Sequence, residues 1–219
     1  MATSGSKNFS IDVADTIEEA YERCGIEVRT GYDLKTARRS LNLLFADWAN
    51  RGINLFTVEQ VTTTLTGGTA NYTLGADTID ILEMVLRRSG TDTTMERIGR
   101  GEYLNIPTKT DQGRPSQYYV DRQINPVVYL WQTPENSTDQ IVYYRLVRMD
   151  DADEYTNDLD MPFRFYPCLV AGLAYYLAIK KAPDRIGLLK QLYEEEFARA
   201  ATEDRDRASM KIVPDSRYI

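Results

Sequence analysis

The apolar positions of this chain change period twice. Val13, Ile17, Ala20, Tyr21 and Cys24 recur at three- and four-residue spacing, with Ser10 placed to cap the run and Gly25 to stop it. A second helical stripe follows over about 32–51, made by Leu34, Ala37, Leu41, Leu44, Phe45 and Trp48, with Lys35, Arg38, Arg39 and Asp47 mostly on the wet side. From 55 to 150 the period drops to two. Val61, Thr63 and Leu65 alternate with polar neighbours, Gly67-Gly68 reads as a hairpin turn, and Tyr72 and Leu74 open a return strand. Residues 79–88, 117–121, 127–131 and 141–149 are further strands, punctuated by Pro107, Pro115, Pro126, Pro134 and the Gly99-Arg100-Gly101 stretch.

Helical spacing returns after an acidic connector over 150–160. Pro162 is placed to open a helix carried by Leu169, Gly172, Leu173, Tyr176 and Ile179 to about Lys181. Pro167 inside that span makes the helix kink or begin there. Ala171, Gly172, Ala174 and Ala178 allow a neighbouring helix to approach closely. Pro183 then starts a last helix with Ile186, Leu189, Leu192, Tyr193 and Phe197 inward. The pattern predicts an α+β fold. Helical pairs over 1–54 and 151–208 form a four-helix bundle, an antiparallel β module over 55–150 is inserted between them, and 209–219 is an extended C-terminal tail.

Composition narrows the chemistry. The 219 residues contain no histidine, which removes Ser-His-Asp and Cys-His nucleophiles, HExxH zinc sites and the usual proton carrier near neutral pH. The two cysteines, Cys24 and Cys168, make neither an all-cysteine zinc site nor a disulfide framework and read as small core residues. The acidic run Asp150, Asp151, Asp153, Glu154, Asp158, Asp160 lacks the spacing and glycine of a calcium loop and reads as a solvated connector. Gly99-Arg100-Gly101 has no βαβ context for a dinucleotide, and no GxxxxGK[ST] occurs. No catalytic, metal or cofactor residues are therefore assigned. Residues 1–10 lack the apolar centre of a signal peptide, and 165–179, the longest uncharged and mainly apolar run, is shorter than the ~20 residues that span a bilayer.

Net charge is −7, and the basic residues of 85–125 are interleaved with acids, which argues against a phosphate-tracking surface. Paired carboxylates are the main catalytic plan open to a histidine-free chain, so a cell-wall glycosidase is the alternative function. Its candidates are weak. Glu18-Glu19 and Glu194-Glu195-Glu196 are consecutive on helices, and Glu83, set among Ile81, Leu82, Met84 and Val85, is better read as an edge-strand residue or an ion-pair partner of Arg87 or Arg88. The 15 tyrosines are the positive feature. In Tyr118-Tyr119 and Tyr143-Tyr144, strand alternation sends one ring to the core and the other to the surface, where tyrosine favours protein–protein contact.

Several motifs occur in a suggestive order. They are Thr16-Ile17-x-x-Ala20, then Leu41-Asn42-x-Leu44-Phe45-x-x-Trp48-x-x-Arg51-Gly52-Ile53-Asn54-Leu55, then Arg114-Pro115-x-x-Tyr118 and Val128-Tyr129-Leu130-Trp131-x-x-Pro134. Pro162-x-Arg164, Leu169-Val170-x-Gly172-Leu173-Ala174 and Ala178-x-Lys180 complete the series. Together, over roughly 10–208, they resemble the head-to-tail adaptor proteins of short-tailed bacteriophages. That resemblance implies a structural virion protein, made in the host cytoplasm and placed at the head–tail junction. It implies a ring of twelve copies beneath the portal protein ring, extending the DNA channel and carrying later tail proteins. It also implies that the subunit's C-terminal segment docks on the portal. By position Met210, Ile212, Val213, Tyr218 and Ile219 would be the apolar anchors, and the free subunit would stay monomeric until the portal is present.

Overall fold

The computed structural model describes residues 5, 11–52 and 55–204. Ser10, the expected cap of the first helix, lies outside them. Among the described residues, five α-helices and ten strands follow one another. Helices α1 (Val13–Cys24) and α2 (Gly31–Arg51) come first. The β-rich stretch holds β1 (Val58–Thr64), β2 (Asn71–Thr73), β3 (Thr78–Arg88), β4 (Thr91–Thr94), β5 (Glu96–Arg97), helix α3 (Arg100–Asn105), β6 (Gln112–Gly113), β7 (Gln117–Asp121), β8 (Val127–Trp131), β9 (Thr133–Pro134) and β10 (Gln140–Val147). Helices α4 (Tyr166–Lys181) and α5 (Ile186–Glu203) follow, each entered through a 3-10 turn. Two compact units result: residues 1–44 with 152–219, and residues 45–151.

In the helical unit, α4 packs against both α1 and α5. Pro167 sits in its first turn, where a missing N–H costs nothing, so the helix begins there rather than kinking. Its side chains from Cys168 to Ala174, together with Leu177 and Ala178, are buried. Gly172 is the tightest point. A Cβ there would lie 2.9 Å from Leu44 Cδ2 on α2 and 2.9 Å from Tyr193 Cε2 on α5. Polar ties join the same elements. Tyr21 donates to the Asp33 carbonyl at 3.0 Å, the Cys24 thiol to the Ala174 carbonyl at 3.2 Å, and Lys180 to Ser40 Oγ at 2.6 Å.

Helix α1 ends as its sequence predicts, on Gly25 in the left-handed region at φ 72°. Its start is finished by two segments. Asp12 is the N-cap, its carboxylate accepting from the Asp15 N–H at 2.7 Å. The Val13 and Ala14 N–H groups donate to the carbonyls of Asn157 and Tyr155. The acidic connector is thus a folded strap whose backbone satisfies donors that a helix start leaves open. Asn42 Oδ1 accepts from the Ala152 N–H and Arg38 donates to the Asp153 carbonyl, which fixes the strap further.

The β unit contains two four-stranded sheets, ordered β1-β10-β3-β4 and β2-β8-β7-β5, and a short β6-β9 pair. Their inner faces share one core that includes Leu65, Ile81, Met84 and Leu86 with Tyr118, Val120, Val128, Leu130, Ile141 and Tyr143. Strand alternation does the sorting, as in β7 and β8, where buried and half-buried positions alternate without a break.

Three sequence expectations need correction. The four-helix bundle is not supported: helices make up under half of the described residues, a fifth helix, α3, lies in the β unit, and α2 divides between the units after Leu44. What stands is a mixed α+β fold. The β module is not purely antiparallel, because β5–β7 and β6–β9 are parallel pairs. Gly67-Gly68 does turn the chain, with Gly68 at φ 81°, but it joins no hairpin. Strand β1 pairs with β10 and β2 with β8, so the turn passes the chain from one sheet to the other. Pairing partners, rather than the turn residues, decide that outcome: Leu65 N–H continues the β1–β10 ladder to the Asp139 carbonyl while Gly68 N–H bonds the Pro134 carbonyl.

Replacing Gly172 by leucine should destabilise the helical unit by about 1–3 kcal/mol through overpacking against Leu44 and Tyr193. Urea unfolding should show a lower midpoint at unchanged slope, and an unaltered midpoint would mean that the close approach is not a constraint.

Candidate functional site

The sequence-predicted contact residues Met210, Ile212, Val213, Tyr218 and Ile219 lie outside the described residues. Their root is described. Helix α5 runs to Glu203, and Asp204, its buried C-cap residue, donates its N–H to the Ala200 carbonyl. The Asp204 carboxylate accepts from Arg164, whose guanidinium also lies over the Phe165 ring at 5.7 Å. The end of α5 is therefore tied to the start of α4.

A second surface feature belongs to the β unit. Tyr118 and Tyr143 enter the core, while Tyr119 is half-buried and Tyr144 is 43% exposed, as strand alternation predicts. Tyr119 joins Tyr129 of β8 and Tyr103 of α3 in a three-ring cluster with centroids 5.4–5.9 Å apart. Two cations edge it: Arg100 Nε reaches Tyr119 Oη at 3.5 Å, and Lys109 Nζ lies 5.5 Å from the Tyr103 ring centre. Burial, and then the neighbouring Tyr129, push the Tyr103 hydroxyl above its ordinary pKa, so the ring is a neutral contact surface. Periodicity does not mark Tyr103, because Gly99-Arg100-Gly101 reads as a break between strands. The available signal was Glu102 three residues after Gly99, since its carboxylate accepts the Gly99 N–H at 2.7 Å and closes the first turn of α3.

The buried acids hold the fold. Asp139 accepts a forked pair from Arg88, whose second partner is Glu135, and Asn136 Oδ1 accepts the Asp139 N–H. Asp33, at the start of α2, binds Lys181 at the end of α4 and accepts from the N–H groups of Thr30 and Arg29. The Lys181 ammonium, helped by Thr30 and Arg29, lowers the Asp33 carboxyl to about 2 against the cost of burial.

The carboxylates of the glycosidase alternative are not gathered together: of them Glu19 alone lines the cleft between α1 and α4, where it is paired with Arg23. Glu83 is exposed, and its strand β3 is interior to its sheet rather than an edge. Arg87 pairs with Asp92, and Arg88 with Glu135 and Asp139. Glu18, Glu19, Glu194 and Glu195 are exposed on their helices. Among the described residues no three acids or cysteines are grouped as they would be around a metal ion. Cys24 and Cys168 are both buried, and burial raises the Cys24 thiol. Among the described residues no helix is long and apolar enough to cross a membrane.

The family model of the SU10 adaptor protein matches residues 12–216, a span that takes in both units and the root of the C-terminal segment. This chain belongs to the SU10 adaptor protein family. It is thus a phage adaptor, and the glycosidase alternative has no support. No curated protein matches the chain. Within this adaptor the motif residue Arg164 holds Asp204, and Tyr118, Val128 and Leu130 are core residues.

The depressed Asp33 carboxyl makes a pH prediction. A lowered folded-state pKa contributes stability above the ordinary carboxylate value and loses it as pH falls toward about 2. Between pH 5 and 2 the wild-type adaptor should lose stability more steeply than D33N, which should start less stable at pH 7. Parallel denaturation midpoints for the two proteins would refute the role given to the Lys181 pair.

Proposed function

We propose that this adaptor is a head-to-tail adaptor of a short-tailed phage, a structural virion protein that works without a catalytic site. Copies assemble as a ring of twelve beneath the portal, extend the DNA channel and present a platform for later tail proteins. Residues 209–219 form the docking segment, with Met210, Ile212, Val213, Tyr218 and Ile219 as its apolar anchors, and the subunit remains monomeric until it meets the portal. The family match over 12–216 carries this reading. The paired buried acids and surface tyrosines are consistent with a protein that makes contacts rather than one that turns over a substrate.

The charge has a physical rationale in such a ring. Copies at −7 each would surround the channel with negative potential, and every phosphate neutralised by a lysine or arginine would add salt-dependent grip. DNA then passes through the lumen without specific binding.

Mixing the purified chain with portal rings should give a larger complex by size exclusion. Deleting residues 210–219 should abolish that complex while leaving the circular dichroism spectrum within error. Full-strength binding by the truncated chain would overturn the docking assignment, and no binding by the intact chain would overturn the adaptor reading.

A further inference from the structure

One surface of the helical unit is not accounted for by the fold. Between α1 and the first turns of α4 runs a cleft of about 430 Å³. Its apolar wall is Ile11, Pro167 and Val170, with Tyr166 beside them, and its rim carries Asp15 and Glu19. The rim extends an acidic stripe. Asp15, Glu18, Glu19 and Glu22 are all exposed and fall within about a quarter to a third of a turn on α1. Arg23, the one cation lining the cleft among the described residues, is paired with Glu19 at 2.9 Å. An apolar slot beside an acidic stripe suits a segment that is both apolar and basic.

The chain carries such a segment, and it starts nearby. In residues 205–219, Arg205, Arg207, Lys211 and Arg217 outnumber Asp206 and Asp215 in an otherwise acidic protein, and Met210, Ile212 and Val213 stand among them. The last described residue, Asp204, is held by Arg164, two positions before Tyr166 in the cleft wall. Met210 is six positions beyond Asp204, a reach of about 20 Å at ~3.3 Å per residue.

We propose that in the free subunit residues 205–219 lie in the α1–α4 cleft of their own chain, with Met210–Val213 against Pro167 and Val170 and the basic side chains along the α1 stripe. The cleft is then a cis binding site for the segment assigned above to portal docking, and the portal must compete with it. That last step rests on the proposed function; the docking itself does not.

Hydrogen exchange on the purified full-length chain, without portal, tests it. Amides of 205–219 should exchange at least tenfold more slowly than those of the same sequence as a free peptide. R205E/R207E/K211E, which alters only the segment, should bring exchange to within about twofold of the peptide. D15K/E19K should do the same, and the two sets combined should restore protection. Free-peptide exchange in the wild type overturns the proposal, as does protection untouched by either charge reversal. Protection that vanishes on dilution assigns the cleft to a second copy. A cleft uncovered by deleting residues 2–10, but not 205–219, assigns it to the N-terminal segment; either result overturns docking in cis. Portal binding is absent from this measurement, so its failure and a failure to bind portal rings are separate results.

Discussion

A helical stretch with apolar residues around its whole circumference must be covered on every side, and the middle of α4, from Cys168 to Ala174, is such a stretch. The chain meets that demand with partners from both its ends: α1 and the front of α2 come before the β unit, α5 after it. Everything else in the helical unit follows from bringing these pieces together. Small residues at Gly172 and Ala174 admit the neighbours, proline sets where the helix starts, and Lys180 and Lys181 reach from its last turn to Ser40 and Asp33 on α2. The contacts that α5 makes with α4 are local in sequence, while those from α1 and α2 are distant. The chain must close over the entire β unit before the burial of α4 repays the entropy of closing it.

That arrangement gives the charged residues structural work. Asp33, Asp139 and Asp204 are buried, and each meets a cation supplied by a different element or loop. In an enzyme, acids so placed would be candidates for a cleft. Here they are spent on fastening helix to helix and strand to loop, which suits an adaptor whose surfaces, rather than pockets, do the work. Removing one partner of such a pair strands a buried charge, so these sites bear more stability than the exposed ion pairs on α1 and α5.

What could be read from the sequence divides along physical lines. The four long helices were legible because burial at 3.6-residue spacing and proline or glycine stops are local properties, as at Gly25, Pro167 and Pro183. The long strands were legible because alternation is local too, and Tyr118-Tyr119 and Tyr143-Tyr144 divided between core and surface accordingly. Pairing is not local. Nothing between Val61 and Leu74 announces that β1 will lie beside β10 and β2 beside β8, and the Gly67-Gly68 turn looks the same in a hairpin and in a crossing between sheets. Short elements were lost for a related reason: β4, β5, β6, β9 and α3 are too brief to show a period. The three-ring cluster was half legible, since Tyr119 and Tyr129 have outward parity while Tyr103 arrives from a helix that reads as a break.

The strap over residues 152–158 has a mechanical consequence. The β unit joins the helical unit by two covalent routes, one a continuous helix through Leu44 and Phe45, the other this strap, fastened to α1 by the Val13 and Ala14 hydrogen bonds. Peeling the strap from its β-unit end would release Asn42 and Arg38 of α2 before it freed the Val13 and Ala14 N–H groups at the start of α1, so the helix start is the last part of the seam to open.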